Sequence, residues 1–229
     1  MTSKLFDKIY GCLAGSRIGS AMGAPPEGWS MTRIAETYGV LNTFQPYAHY
    51  GGIWDRPPGS TEDGIERQKL MCTAIIEKQD RITAEDLVQT WIKVLDPEKM
   101  KYMTQPFDRN LLAIAKTGLV SPGKLGELRG YADSNTTARS FHAIPLINAC
   151  DTEGMIEDLY NVGRVYEPLY SDSFPWGVIY NAAVVEATRP DATVDSVIGA
   201  ALKHASPERT EGVRKSPKEL IEQALKDLG

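Results

Sequence analysis

The chain has no apolar run as long as a bilayer span and no block of basic residues. The first absence leaves no membrane-crossing helix to expect. The second removes support for nucleic-acid binding, since 25 Lys and Arg are outweighed by 30 Asp and Glu, for a net charge of −5. The opening Met1-Thr2-Ser3-Lys4-Leu5 lacks a signal-peptide core, so a cytoplasmic location is expected. Cysteine is scarce, odd in number and scattered, at Cys12, Cys72 and Cys150. That pattern suits neither a disulfide framework nor a zinc site. Cys12 and Cys72 fall among apolar residues of predicted helices, as buried thiols in a reducing compartment would. Runs that alternate apolar and polar residues are almost absent, which argues against a sheet. There is no internal repeat and no low-complexity segment.

What remains is helix after helix. The length fits one large domain, or at most two small ones, with a sizeable core. A first helix is expected from Ser3 to Gly23, with Leu5, Ile9, Cys12, Leu13 and Ser16 on one face. Gly11, Gly15, Gly19 and Gly23 form a second stripe on it, as where another backbone or a ligand comes close; close packing against another helix is the favoured reason. Pro25 and Pro26 end that helix and leave Glu27 in the following loop. A short helix is expected over Met31 to Tyr38, closed by Gly39. Residues 40–60 show no period and carry Tyr47, His49, Tyr50 and Trp54. A long aromatic loop of this kind is more often functional than disordered. The next helix starts near Asp63 and turns Leu70, Met71, Ala74 and Ile75 inward. Thr83 caps another, with Leu87, Val88, Trp91, Ile92 and Leu95 on its apolar face. Asp108 is expected to cap a short helix closing at Gly118. Residues 121–140 read as loop. Further helices are expected over Glu153–Tyr166, Trp176–Ala187 and Thr193–His204. Ser216-Pro217-Lys218-Glu219 is a capping box with proline in the first turn, and launches a last helix. The fold class expected is all-α, as a single orthogonal helical bundle.

Thr61-Glu62-Asp63-Gly64 stands out. Three oxygen-bearing side chains follow one another where a loop enters a helix. There they can converge on one point, as a hard divalent cation requires. They can equally cap free N–H groups and suit the helix dipole, which is the commoner use of such residues.

The segment Gly11-Cys12-Leu13-Ala14-Gly15-Ser16-Arg17-Ile18-Gly19-Ser20-Ala21-Met22-Gly23-Ala24-Pro25-Pro26-Glu27 resembles the opening helix of the ADP-ribosylglycohydrolase family. That family includes dinitrogenase-reductase-activating glycohydrolases and J1 crystallins. Its next landmark is Thr-Asp-Asp-Thr at a helix start, and Thr61-Glu62-Asp63-Gly64 is similar, at a suitable distance. A third landmark, an Asn-containing loop running into an apolar-Pro stretch, is matched more loosely by Ser134-Asn135-Thr136-Thr137-Ala138-Arg139-Ser140-Phe141-His142-Ala143-Ile144-Pro145-Leu146.

The resemblance implies an all-α hydrolase with a binuclear Mg²⁺ (or Mn²⁺) site. It would cleave the bond between a ribose anomeric carbon and an acceptor nitrogen or oxygen. The substrate implied is a small ADP-ribosyl or ribosyl compound, or an ADP-ribosylated protein. Thr61, Glu62 and Asp63 would be the metal ligands. Asp63 and Glu27 would be catalytic, one stabilising charge on the ribose and the other positioning water, in either order. Asn135, Thr136, Arg139 and His142 would approach the ribose or diphosphate.

Two departures bear on this. Glu62 replaces an aspartate, which moves its carboxylate about 1.5 Å outward, and Gly64 replaces a threonine. The family's second metal motif, a C-terminal Asp-Thr-Asp-Thr, is absent from the sequence. The expectation is therefore a domain over residues 1–229 without the family's C-terminal part. A non-catalytic relative that binds a nucleotide-like ligand or a partner protein is one alternative. A hydrolase of another small glycoside is the other. Ordinary structural roles stand beside each remaining candidate: surface or packed histidines for His49 and His142, a helix-dipole contact for His204, loop packing for Tyr47, Tyr50 and Trp54, and a salt bridge for Arg139.

Overall fold

The computed structural model describes residues 3–47, 56–97, 106–130, 135–208 and 215–228. His49, Tyr50 and Trp54 lie outside them. The described residues are all-α, as expected. Their only β pairing is an isolated antiparallel bridge between Tyr47 and Arg56. No described helix is long and apolar enough to cross a membrane.

Local chemistry sets most helix starts. Helix α1 (Lys4–Gly23) is capped by Ser3, whose hydroxyl accepts from Phe6 N. Helix α2 (Met31–Tyr38) is capped by Ser30 and closes at Gly39, whose φ is 64°. Helix α3 (Asp63–Lys78) begins within the tetrad, with Glu62 as its N-cap residue. Helix α4 (Ala84–Val94) starts on a full capping box between Thr83 and Asp86. Helix α5 (Pro106–Lys116) comes next. Asp108 lies inside its first turn rather than capping it, because the helix begins two residues earlier.

The stretch expected as loop is partly helical, with a 3₁₀ segment at Pro122–Leu128 and the one-turn α6 (Thr136–Arg139). Both are too short to show a period. Then come α7 (Ala143–Ile147), α8 (Thr152–Gly163), α9 (Ser173–Ala187), α10 (Val194–His204) and α11 (Pro217–Leu228). The Ser216 box forms: Ser216 N donates to Glu219 Oε2 at 2.8 Å, and Glu219 N donates back to Ser216 Oγ at 3.2 Å.

The core gathers the inward faces of α3, α4, α5, α8 and α9. Leu70, Met71, Leu87, Trp91, Leu112, Leu159, Phe174 and Val185 meet there. The Tyr166 ring takes Trp91 and Phe141 edge-on, at 5.0 and 5.8 Å between centroids. Helix α9 packs against α6, α7, α8 and α10.

Helix α1 is different. Its one buried residue is Ala21, and Phe6 and Tyr10 are 54% and 66% exposed. A Cβ placed on Gly11, Gly15, Gly19 or Gly23 would meet no described atom within 4 Å. The stripe therefore does not mark close helix packing. The face turned inward carries Ile9, Cys12, Leu13, Ser16 and Ser20, all half-buried.

Candidate active site

A cavity of about 370 Å³ opens where α1 meets α3, α6 and α9. That is at the small end for a ligand site. Ser16, Gly19 and Ser20 of α1 face Glu62, Gly64 and Ile65 across it, and Ala138, Arg139, His142 and Tyr180 complete the wall.

Two hydrogen bonds hold α1 to α3 at this point. Glu62 N donates to Ser20 Oγ at 3.3 Å, and Gln68 Nε2 donates to Ser16 Oγ at 3.2 Å. Glu62 is the N-cap residue of α3, yet its side chain makes no capping bond. Its carboxylate instead meets Arg139 Nη1 at 3.3 Å and shares a hydrogen bond with Glu27. Burial, then the nearby Glu27 charge, push the Glu62 carboxyl up to about 7; Arg139 opposes that shift and Asp63 adds to it. Near neutral pH this carboxyl holds its proton about half the time.

Asp63 is buried at 7% exposure. One of its oxygens accepts from Arg139 Nη2 at 2.5 Å, and the other lies 2.9 Å from Arg67 Nη1. Arg67 is 2% exposed and reaches Asp108 at 2.8 Å. Arg139, Asp63, Arg67 and Asp108 thus form one chain of alternating charge running from the cavity wall into the bundle. Each buried charge in it has an opposite charge beside it, which such burial requires.

Buried polar contacts place Arg139. Thr137 N donates to Ser173 Oγ at 3.0 Å, and the Thr137 hydroxyl donates to the Ser173 carbonyl. Asn181 Nδ2 donates to the Thr137 carbonyl at 2.9 Å. These bonds lock α6 onto α9 and aim its last residue, Arg139, at the α3 start. Gly64 makes room: a Cβ there would stand 3.3 Å from Ser140 Oγ and 3.4 Å from Arg139 Nε.

The expected site residues divide. Glu62, Arg139 and His142 line the cavity. Asp63 stands directly beside it through Arg139. Glu27 is exposed, hydrogen-bonded to Glu62, and accepts from the Tyr47 hydroxyl at 3.4 Å. Thr61 lends its carbonyl to Arg56 Nη1 and does not line the cavity. Asn135 is exposed at the α6 start, and Thr136 is buried beside Arg129, so neither reaches the cavity. Sequence reasoning missed Ser16 and Ser20 as cavity residues, although their four-residue spacing on the inner face of α1 was visible. It also missed Tyr180, whose hydroxyl lies 2.8 Å from His142 Nε2. Burial lowers the tendency of His142 to take up a proton.

Nor do the residues present fit the divalent cation that the resemblance implies. Both Asp63 oxygens already face guanidinium groups, and Glu62 shares one of them. Among the described residues no group of three His, Cys, Asp or Glu side chains converges as a metal site requires.

Comparison with known proteins adds one match. The family model described as ADP-ribosylglycohydrolase covers residues 1–228. No curated protein matches the chain.

Proposed function

Because the chain belongs to the ADP-ribosylglycohydrolase family, we propose that this cavity takes the ribosyl end of an ADP-ribosyl or related ribosyl substrate and hydrolyses its N- or O-glycosidic bond. One observation carries the reading: a Glu62 carboxyl that holds a proton near neutral pH lines the cavity, hydrogen-bonded to Glu27 and beside the paired Asp63 and Arg139.

Glycoside cleavage needs an acid for the leaving group and a base for water, supplied by two carboxyl groups. Glu62, with its raised pKa, donates its proton to the departing nitrogen or oxygen as the bond to the anomeric carbon breaks. Positive charge then grows on the ribose. Water then attacks that carbon from the side the leaving group has vacated; its oxygen forms the new bond, and the hydrogen-bonded Glu62–Glu27 pair takes up its proton. The products are a free ribosyl hydroxyl and the released acceptor. Asp63 holds Arg139 in place. His142 and Tyr180 present a polar edge for the ribose hydroxyls.

A second reading, a non-catalytic binder of a nucleotide-like ligand, draws on the full engagement of Asp63. A panel of ADP-ribosyl-arginine, ADP-ribosyl-serine and simple nucleosides separates the two. Release of ribose or ADP-ribose from one member, abolished by Glu62→Gln, supports the hydrolase. Saturable binding without release from any member supports the binder instead.

A further inference from the structure

We propose that the Arg139 guanidinium is the built-in cation of this site: it stands between Glu62 and Asp63, in the place of a divalent ion, so the native chain holds no metal there. The proposal concerns the same cavity as the hydrolase reading but does not depend on turnover.

Three observations meet in it. First, the guanidinium reaches both carboxylates that the tetrad supplies, at 3.3 Å to Glu62 and 2.5 Å to Asp63. A metal ion bridging the same pair would have to expel it. Second, the remaining Asp63 oxygen is held by Arg67, which is buried and fixed from its far side by Asp108. Asp63 thus has a guanidinium group beside each of its oxygens. Third, Gly64 leaves the space that Arg139 fills. A Cβ there would stand 3.3 Å from Ser140 Oγ and 3.4 Å from Arg139 Nε, so a side chain at this position would press these neighbours to give by a few tenths of an ångström.

The longer Glu62 fits the same account, because its carboxylate reaches Nη1 of the guanidinium that Asp63 holds by Nη2. The exchange has chemical consequences. Arginine stays charged throughout the working pH range and has no acceptor atoms, so it gives a fixed positive charge and directed donors but cannot ligate water. Such a site is indifferent to chelators.

The test is a Mn²⁺ titration followed by the electron paramagnetic resonance of the free ion, on the native chain, Asp63→Asn, Arg139→Ala, Arg139→Gln and Arg139→Ala/Asp63→Asn. The native chain is expected to bind no Mn²⁺ up to millimolar concentration. Removing the guanidinium uncovers Glu62 and Asp63, and affinity should rise at least about tenfold in both single variants, since hard cations take clustered carboxylates. Asp63→Asn in the double variant should reverse the gain. Circular dichroism identifies which variants are folded, and Arg139→Gln keeps most of the side-chain volume should the alanine variant unfold. Tight Mn²⁺ binding by the native chain, lost in Asp63→Asn, would overturn the proposal. So would folded Arg139 variants that bind no better than the native chain. Failure of the hydrolase reading appears separately, as an inert substrate panel, and leaves the metal result standing.

Discussion

The two walls of the cavity are built by opposite rules. On one side α6 and α9 pack closely: a Cβ on Gly177 would lie 2.3 Å from Thr137 Oγ1. On the other side α1 carries four glycines that touch nothing described and buries a single alanine. The tight wall fixes Arg139, and through it Asp63. The open wall supplies Ser16 and Ser20, which reach α3 through two hydrogen bonds. Position is therefore imposed from the α9 side. The α1 side can adjust around a ligand at little cost, because few buried contacts oppose it.

This contrast can be broken in order of effect. The largest loss should follow Arg67→Met, which leaves Asp63 and Asp108 buried without the guanidinium between them. Removing one partner of a buried ion pair costs about 3–5 kcal/mol, read as a fall in the denaturant midpoint. An undiminished midpoint would mean that the tight wall does not depend on this charge chain. Gly177→Ala comes next, at about 3 kcal/mol, because the new methyl meets a threonine locked by hydrogen bonds to Ser173.

A smaller effect should appear in the pH dependence of stability. The folded state keeps a proton on Glu62 up to about 7, against an ordinary value of 4.5. Between those values the native chain binds more proton than the unfolded one, so stability declines as pH rises through the window. The Tm of the native chain should fall from pH 5 to pH 8 more than that of Glu62→Gln; parallel curves would place the raised carboxyl elsewhere. The smallest change should be a gain. Gly15→Ala meets open space in mid-helix and should stabilise by about 0.5–1 kcal/mol. A loss at Gly15 would show that α1 is packed after all.

The helix starts were the legible parts of the chain. The bounds of α2, the Thr83 and Ser216 boxes and the α3 start all depend on residues three or four apart, and local rules read those correctly. The tight wall was not legible, because its contacts join distant segments. Arg139 meets Asp63 across 76 positions, and Arg67 meets Asp108 across 41. Asp108 looked like a helix cap because a local rule offers an acid near a helix start no other role. Likewise the α1 glycines drew notice through their spacing, whereas the glycines that do carry close approaches, Gly126, Gly163 and Gly177, stand alone in sequence. Glu62, Arg139 and His142, expected from the sequence at the site, line the cavity. Asn135 and Thr136 were expected there too, since a loop motif does not say which way each of its side chains turns.

The most direct test is the rate of ribose or ADP-ribose release across pH 5–9, on the native chain and on Glu62→Gln. With Glu62 as the proton donor, the native rate should fall above about pH 7, where that carboxyl ionises. The Gln variant should be slow, without that descending limb. A Gln variant that keeps the native rate and pH profile would contradict the assignment of Glu62 as the acid.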